Sequence, residues 1–281
     1  MGALRGATSR PASLEEGRER LLEWWSMTRR LASAHELSER LAELSAPGSF
    51  SDAELEGLPD PVRRYLGEAI APGTPLGTSA RFRMRGSIKL GRRWVAFRAR
   101  QVLAPHHGFV WAGRAAGVIV GSDRYVDGQG AMDWKLLGLI RIMHADGSDL
   151  SRSAAGRAGA EAVWVPTALL PRFGVTWTAT DPEHLTASYR LDDTRLDIHY
   201  VLGDDARVRL VVFDGWGDPD NASGWGQHPF GFEVTGYSTF DGVTIPSAGR
   251  AGWFYGTDRW HEGEFFRCEI TDYHLVAQRS E

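Results

Sequence analysis

Three side chains in the segment 150–171 have the types and the spacing to do chemistry inside a folded cavity. Arg157, Glu161 and Trp164 follow one another at intervals of four and three residues, so a helix would place them on one face. Desolvation in an apolar, tryptophan-lined pocket favours the neutral form of a carboxylate, which suits acid–base work near neutral pH. We therefore predict Glu161 as a catalytic group and Arg157 and Trp164 as substrate-binding residues.

The Arg157–Glu161 pair also has a plainer interpretation. An adjacent guanidinium would hold the carboxylate of Glu161 ionised. The pair is equally typical of a solvent-exposed helical ion pair, and the arginine precedes the glutamate, which is the less favourable order. On that interpretation the two residues stabilise the helix slightly and do no chemistry.

Two further carboxylates and a set of aromatic residues complete the predicted site. Asp127 and Asp133 bracket the glycine-rich stretch DGQGAMDW between two predicted strands, and both are catalytic candidates, although Asp127 is also typical of an ordinary turn residue. The segment 214–232 mixes aromatic residues with turn formers and predicts either a lid or a long surface loop. The remaining predicted substrate-binding residues are Trp111, Tyr125, Trp134, Trp216, Trp225, His228 and Phe230.

No local pattern predicts a metal or a cofactor. The nine histidines form no His-x-His or His-x₃-His pair, and the chain has neither a phosphate-binding loop nor a Gly-x-Ser-x-Gly elbow. Cys268 is the single cysteine, so a multi-cysteine metal site is excluded, and its strand-like surroundings predict a packed thiol. We expect no metal ion and no cofactor.

The elements that must position these residues are mostly strands. From Ser79 onward apolar and polar residues alternate, as in SARFRMRGSIKL, and Asp- or Gly-containing turns separate successive runs. A sheet with that many strands should curl. We predict a mainly β (α+β) protein, a highly curved antiparallel half-barrel or barrel with an N-terminal helical cap and one helix inserted at the sheet mouth. Further predicted strands are 93–103, 109–114, 118–126, 131–144, 175–180, 185–191, 196–202, 208–213, 232–237, 243–250 and 264–274.

Helix-start signals precede the sheet. Three capping boxes and an Asp60-Pro61 pair predict helices near 14–31, 34–45, 52–57 and 60–69. This divides the chain into a helical cap, 1–57, and a curved β domain, 58–281, whose helical insert spans about 150–171. The apolar stripe of the first helix is predicted to dock on the sheet or on a second subunit, so the sequence allows a homodimer through the N-terminal helices.

Composition narrows the partners and the compartment. The formal net charge is −4, which gives no electrostatic case for nucleic acid. No uncharged run approaches the ~20 residues that span a bilayer, so no stable membrane insertion is expected. The first residues do not resemble a signal peptide and the chain cannot form an internal disulfide, so we expect a cytoplasmic protein.

Several motifs, in order, resemble an uncharacterised bacterial family, a domain of unknown function of the 6544 type. The resemblance implies a curved sheet similar to that of lipid and lipoprotein carriers, and it brings no established activity or catalytic residue. The motifs are LPDPVRRYL (58–66), RMRGSIKL (83–90), FVWAG (109–113), DRYVDGQGAMDWKLLGL (123–139), AEAVWVPTALLP (160–171) and FDGVTIPSAGRAGWF (240–254).

Two functional classes fit these observations. In the first, the protein is a cofactor-independent cyclase, isomerase or lyase that acts on a lipid-, terpenoid- or polyketide-like substrate through carboxylate acid–base chemistry. In the second, it is a non-enzymatic carrier or sensor of a lipid or another hydrophobic ligand. Both predict an apolar or amphipathic small molecule in a tryptophan-lined β cavity, and the sequence leans towards the enzyme.

Overall fold

The computed structural model describes residues 35–41, 43–221 and 224–277. The chain divides into two units, residues 1–36 and 37–281, and almost all described residues belong to the second. Residues 35–41 are helical. The helix predicted at 14–31 lies outside the described residues, so the N-terminal cap, its boundary at residue 57 and the dimer contact stay predictions.

The described helices are few. One begins at the Asp60-Pro61 pair, as predicted. Another, Ser148–Ala160, is named the central helix. None of the described helices is long and apolar enough to cross a bilayer. After residues 35–41, the described α-helices span Asp60–Ala69, Ser148–Ala160 and Trp260–Gly263, and 3₁₀ helices span Asp52–Leu55, Glu161–Trp164, Pro166–Leu169 and Pro171–Phe173.

Strands make up most of the second unit. The predicted alternation is present in β3, where Phe82 and Met84 are buried and the intervening arginines are exposed. The strands are β1 Ser45–Ser49, β2 Pro75–Gly77, β3 Ser79–Leu90, β4 Arg93–Ala104, β5 Gly108–Ala115, β6 Ile119–Val126, β7 Gln129–Leu136, β8 Ile140–Asp146, β9 Thr176–Ala179, β10 His184–Leu191, β11 Thr194–Leu202, β12 Val208–Gly217, β13 Gly226–Phe240, β14 Val243–Trp253 and β15 Glu264–Val276.

Thirteen of these strands form one antiparallel sheet in the order β8-β7-β6-β5-β4-β3-β15-β14-β13-β12-β11-β10-β9. Two meanders, β3–β8 and β9–β15, join where β15 pairs with β3. The edge strands β8 and β9 are not paired with each other, so the curved sheet is open. Of the two predicted forms, this is the half-barrel. The short strands β1 and β2 pair separately.

The curvature of the sheet brings its two wings into contact. The hydroxyl of Tyr125, in β6, donates a hydrogen bond to Asp192 in the β10–β11 turn at 2.8 Å, although β6 and β11 lie eight places apart in the strand order. The central helix crosses the concave face and contacts β5–β8 on one wing and β11 and β12 on the other. Glycine permits this approach, because a Cβ on Gly159 would lie 2.9 Å from the side chain of Leu196.

Two predicted elements differ from the structure. The predicted strand 131–144 is two strands, because residues 137–139 make a turn in which Leu137 and Gly138 both have positive φ. The predicted helix 150–171 begins slightly earlier, at Ser148, ends at Ala160 and continues as three 3₁₀ helices. Pro166 and Pro171 each begin one of the later 3₁₀ helices and prevent an α-helix from running through that stretch, since proline has no amide hydrogen for the helical ladder.

The predicted lid is the third difference. Most of the segment 214–232 extends β12 and β13, which pair up to Gly217 and Gly226. The described part of the connection between these strands is therefore short, and Phe230 is a sheet residue instead of a loop residue. Glycines alternate with aromatic residues in this segment. Because glycine is a turn signal in a sequence even where it lies within a strand, the period-two pattern of β12 and β13 could not be recognised.

Candidate functional site

A cavity of about 250 Å³ lies between the concave face of the sheet and the central helix. Side chains from both wings of the sheet and from the helix line it, and its wall is mostly apolar. Aromatic rings form much of this wall: Trp111, Trp164, Phe213, Phe230, Phe232 and Trp253.

A row of directly opposed residues places polar groups on the sheet side of this cavity. Gln101 of β4 pairs with Trp111 of β5, Trp111 pairs with Asp123 of β6, and Asp123 pairs with Met132 of β7. Directly opposed residues on neighbouring strands point to the same face of a sheet. The amide of Gln101 and the carboxylate of Asp123 therefore flank the indole of Trp111.

The central helix supplies the groups that meet this row. Arg157 lies one turn before Glu161, and its Nε donates to Glu161 Oε1 at 2.7 Å. Its Nη1 donates to Asp123 Oδ2 at 3.1 Å. Gln101 Nε2 donates to Glu161 Oε2, and Trp134 Nε1 donates to Asp123 Oδ1 at 2.7 Å. These five residues form one connected set, named the charged network.

Burial and charge act against each other in the charged network. Burial raises the pKa of Asp123 above its ordinary value, and this effect outweighs the opposing attraction of Arg157. For Arg157, burial lowers the pKa, but the charges of Glu161 and Asp123 reverse the shift and leave that pKa raised. The arginine stays charged, while the carboxyl of Asp123 holds its proton more tightly than an exposed aspartate does.

Arg157 also contacts the aromatic wall. Its guanidinium carbon lies 4.4 Å from the centroid of the Phe109 ring and 5.8 Å from that of Trp111, within the range of cation–π attraction. The Arg157 side chain lines the cavity and keeps 32% of its surface accessible. A bound molecule would therefore meet both a charged group and ring faces at this position.

The opposite wall is held by packing. Trp164 lies edge-on to Phe82 and Phe232, and its indole nitrogen donates to the carbonyl of Pro246 at 3.0 Å. The hydroxyl of Tyr273 donates to the carbonyl of Trp164 at 2.8 Å. Trp164 is therefore fixed at both its backbone and its ring, and it presents a rigid apolar surface.

Five predicted site residues line the cavity: Glu161, Arg157, Trp164, Trp111 and Phe230. Trp134 lies behind this wall, 5.5 Å from Trp111 between ring centroids, and belongs to the charged network through Asp123. The remaining predicted residues lie elsewhere.

Both other predicted carboxylates lie outside the cavity wall. Asp127 sits in the β6–β7 turn with 67% of its side chain exposed and pairs with Arg40 at 3.1 Å. Asp133 lies within β7 and faces Arg141 at 3.6 Å. Asp133 points away from the cavity because successive residues of a strand point to opposite faces, and its neighbour Met132 faces the cavity.

The other predicted aromatic contacts are also outside the wall. Tyr125 is buried and bonds Asp192, and Trp216 stacks under Arg152 and donates to Asp149. Trp225 is exposed. The ring of His228 packs edge-on against Trp253 and Phe254 and is not among the residues that line the cavity.

Sequence reasoning missed Asp123 and Gln101. Asp123 lies two residues before Tyr125 on a predicted strand and pairs with Trp111. This pairing could be predicted only if the register of β5 with β6 were known. Gln101 required the pairing of β4 with β5 in the same way. Cys268, in contrast, is buried as predicted, and burial together with the charge of Glu161 raises the pKa of its thiol to about 12.

Within residues 35–41, 43–221 and 224–277, no three His, Cys, Asp or Glu side chains are grouped closely enough to hold a metal ion. The residues that line the cavity offer a bound molecule hydrogen bonds, charged groups and apolar contact.

The fold and the cavity define a class of protein: an open, strongly curved antiparallel sheet that encloses an apolar cavity beneath a helix. Within that class, the chain belongs to the family of unknown function DUF6544, whose model matches residues 48–265. This match confirms the resemblance found in the sequence motifs. No curated protein is significantly similar to the chain in sequence.

Solved structures that are similar to the chain in backbone include a LolA superfamily protein from Nitrosomonas europaea, with a TM-score of 0.43, 9% identity, and coverage of 79% of this chain and 93% of that one. They also include a DUF1329 family protein from Desulfovibrio piger, with a TM-score of 0.40, 10% identity, and coverage of 73% of this chain and 88% of that one. Neither likeness assigns a ligand or an activity to this chain.

Proposed function

We propose that the protein binds a small apolar or amphipathic molecule in the cavity and acts as a non-enzymatic carrier or sensor. The observation that carries the proposal is the preformed, mostly apolar cavity of about 250 Å³ with one polar cluster in its wall. Ligand sites in proteins commonly combine such an apolar wall with a few polar groups that fix orientation. The charged network provides that orientation, and the rings of Trp164 and Phe230 provide the contact area.

The size of the cavity limits the ligand. A volume of about 250 Å³ lies slightly below the ~300–1,000 Å³ found for ligand pockets. It suits a single medium-length hydrocarbon chain or a compact ring system, and it is too small for a lipid with several acyl chains. A polar end on that ligand would sit beside Arg157 and Asp123, where hydrogen bonds compensate its desolvation.

The same contacts weaken the enzymatic role predicted for Glu161. Both of its oxygens accept hydrogen bonds from protein groups, one from Arg157 and one from Gln101. A proton-transfer role would require Glu161 to give up a charge-assisted bond first. The carrier hypothesis needs no such rearrangement.

One observation favours a second function, which is proton transfer by Asp123. This carboxyl lines the cavity, and burial raises its pKa, as general acid–base catalysis requires. Its oxygens accept hydrogen bonds from Arg157 and Trp134, so Asp123 would also have to give up a bond before it transfers a proton. On this hypothesis the enzyme predicted from the sequence would use Asp123 in place of Asp127 and Asp133.

Native mass spectrometry of the purified full chain, followed by organic extraction, tests the proposal. We expect a co-purifying or added amphipathic molecule bound at one per chain. Ala154→Phe should remove it, because Ala154 faces the cavity and a phenyl ring would fill the space. Ala96→Phe is the matched control, since it adds the same ring at an exposed position of β4.

The outcomes separate the two functions. A molecule that wild type and Asp123→Asn bind equally and release unchanged supports the carrier. A molecule that wild type converts and Asp123→Asn binds without converting supports the enzyme. Binding that survives Ala154→Phe undiminished places the ligand outside the cavity and contradicts both.

A further inference from the structure

All large apolar side chains that are exposed in the described residues lie at one end of the sheet. They occupy the β3–β4, β5–β6, β7–β8 and β12–β13 connections or the nearer part of the adjoining strands, up to the fourth residue of β8. The set is Leu90, Trp94, Val118, Leu137, Leu139, Ile140, Ile142, Met143 and Trp225.

The topology explains why these connections share one end. In an antiparallel meander, alternate turns lie at the same end of the sheet. The pairing of Ile88 with Phe266 and of Phe230 with Trp253 places the β12–β13 connection at the same end as the β3–β4 turn. This end is named the apolar tip. Within it, the β3–β4, β5–β6 and β7–β8 connections lie side by side, since Ala116 N donates to Ala96 O and Leu137 N donates to Val118 O. A contiguous exposed apolar surface marks an interaction site.

The β3–β4 turn of the apolar tip carries free positive charge. Its sequence is Leu90-Gly91-Arg92-Arg93-Trp94, and all five residues are exposed. Neither Arg92 nor Arg93 has an ion-pair partner among the described residues, whereas Arg85 on the same hairpin is paired with Glu269. Tryptophan beside unpaired arginines is typical of surfaces that meet the headgroup layer of a membrane.

The β7–β8 hairpin carries exposed apolar side chains at its tip. Leu137 and Leu139 lie in the turn and are 65% and 74% exposed, and Ile140, the first residue of β8, is 62% exposed. A flat protein partner would contact only part of such a protruding apolar turn, whereas a lipid layer surrounds a turn that enters it.

We infer that the apolar tip docks reversibly on an anionic lipid surface, with the β7–β8 turn entering the headgroup layer and Arg92 and Arg93 contacting lipid phosphates. The docking is shallow, because β8 is an open sheet edge whose unpaired backbone groups require water or headgroup partners. It is consistent with the expectation that the chain does not insert stably into a membrane.

Docking in this orientation would bring the cavity close to the lipid. Ile88, Trp253 and Phe265 belong to the cavity wall, and they lie in the last or first residues of their strands at the apolar tip. A ligand could then pass between the lipid layer and the cavity over a short apolar path. The docking inference itself rests on the exposed residues and stands apart from the proposed carrier function.

Vesicle co-flotation of the full chain tests the inference. We expect the protein to float with vesicles of mixed phosphatidylcholine and phosphatidylglycerol, and to float less at high salt or with phosphatidylcholine alone. Replacing Leu137, Leu139 and Ile140 with Asn should reduce the partition coefficient about a hundredfold. These side chains are already exposed, so the variant should keep the wild-type melting temperature.

A charge-matched pair of variants tests the arginines. Arg92→Glu with Arg93→Glu should reduce partitioning to the anionic vesicles about tenfold or more. Arg98→Glu with Arg100→Glu is the control, because it makes the same charge change at exposed positions of β4 away from the turn, and it should have a much smaller effect.

Two outcomes would overturn the inference. One is flotation that the three Asn substitutions leave unchanged, since another part of the chain would then hold the membrane. The other is absence of flotation together with a wild-type dimer that the Asn variant converts to a monomer in analytical ultracentrifugation. In that case the apolar tip is an interface between two copies of the chain.

Discussion

The concave face of the sheet is filled with side chains in one region and hollow in another, although both regions are rich in aromatics. In the filled region, Tyr65, Trp177 and Tyr200 pack with ring centroids 5.6–5.9 Å apart. In the hollow region, Trp111 and Trp164 line a cavity of about 250 Å³. Aromatic content alone therefore does not make a cavity in this sheet.

The covering helix makes the difference. The helix Asp60–Ala69 buries the large side chains of Val62, Tyr65 and Leu66 in the filled region. The central helix buries only alanines and a glycine, at positions 154, 155, 158 and 159. Small side chains let the central helix approach the sheet on one side and leave space on the other. The charged network lies beside that space.

The largest expected effect contrasts truncations in the two regions. Leu66→Ala should lower the free energy of unfolding by about 2–5 kcal/mol, because Leu66 is fully buried in the filled region. Phe230→Ala should cost clearly less, since its ring already borders empty space. Chemical denaturation of both variants measures the difference. Equal losses would mean that the hollow region is packed as tightly as the filled one.

The next effect concerns the charged network. Arg157→Met should destabilise the protein by about 2–3 kcal/mol, below the ~3–5 kcal/mol for a fully buried pair, because a third of the arginine surface reaches the cavity. Adding Asp123→Asn and Glu161→Gln to that variant should restore much of the loss, since no uncompensated charge remains. A loss that these neutral substitutions leave unchanged would show that Arg157 acts through packing on Phe109 instead.

A pH-dependent effect separates burial from ion pairing at Asp123. Because its pKa is raised in the folded protein, the folded state binds this proton more tightly than the unfolded state does. Its stabilising contribution is present at low pH and is lost as pH rises from the ordinary value of 3.8 through the raised value. The stability of wild type relative to Asp123→Asn should therefore fall over that window. A relative stability that rises with pH would mean that Arg157 outweighs burial.

The smallest effect is expected at the carboxylate farthest from this chemistry. Asp127→Ala should change the free energy of unfolding by at most about 1 kcal/mol, because both side chains of the Asp127–Arg40 ion pair are exposed. Ligand binding should be unchanged. Loss of binding in this variant, measured beside Asp123→Asn, would restore Asp127 to the site predicted from the sequence.

The sequence predicted the sheet better than its interruptions. Period-two alternation marked β3, and the Asp60-Pro61 pair marked the start of a helix, because both signals depend on local residues. The turn at Leu137-Gly138 was missed inside a continuous apolar run. Its leucine adopts positive φ and is exposed, which a local pattern of hydrophobicity does not predict.

Only the part of the site that depends on local spacing could be predicted from the sequence. Glu161 directly follows the helix that carries Arg157 and keeps a helical backbone, so their spacing alone predicted their contact. Asp123 reaches them from β6 only because the sheet curves under the helix, and no local spacing encodes that approach. Asp127 and Asp133 were chosen for their position near a glycine-rich turn, but one is exposed in the turn and the other lies next to Met132, which faces the cavity.

Anomalous diffraction from crystals of the full chain grown with a medium-chain alcohol brominated at its terminal carbon would show whether the cavity binds an amphipathic molecule. Binding in the cavity predicts a bromine peak among Trp164, Phe230 and Trp253, with the hydroxyl of the alcohol within hydrogen-bonding distance of Arg157 or Asp123. An empty cavity at saturating alcohol, or a bromine peak only on the outer surface of the sheet, would contradict it.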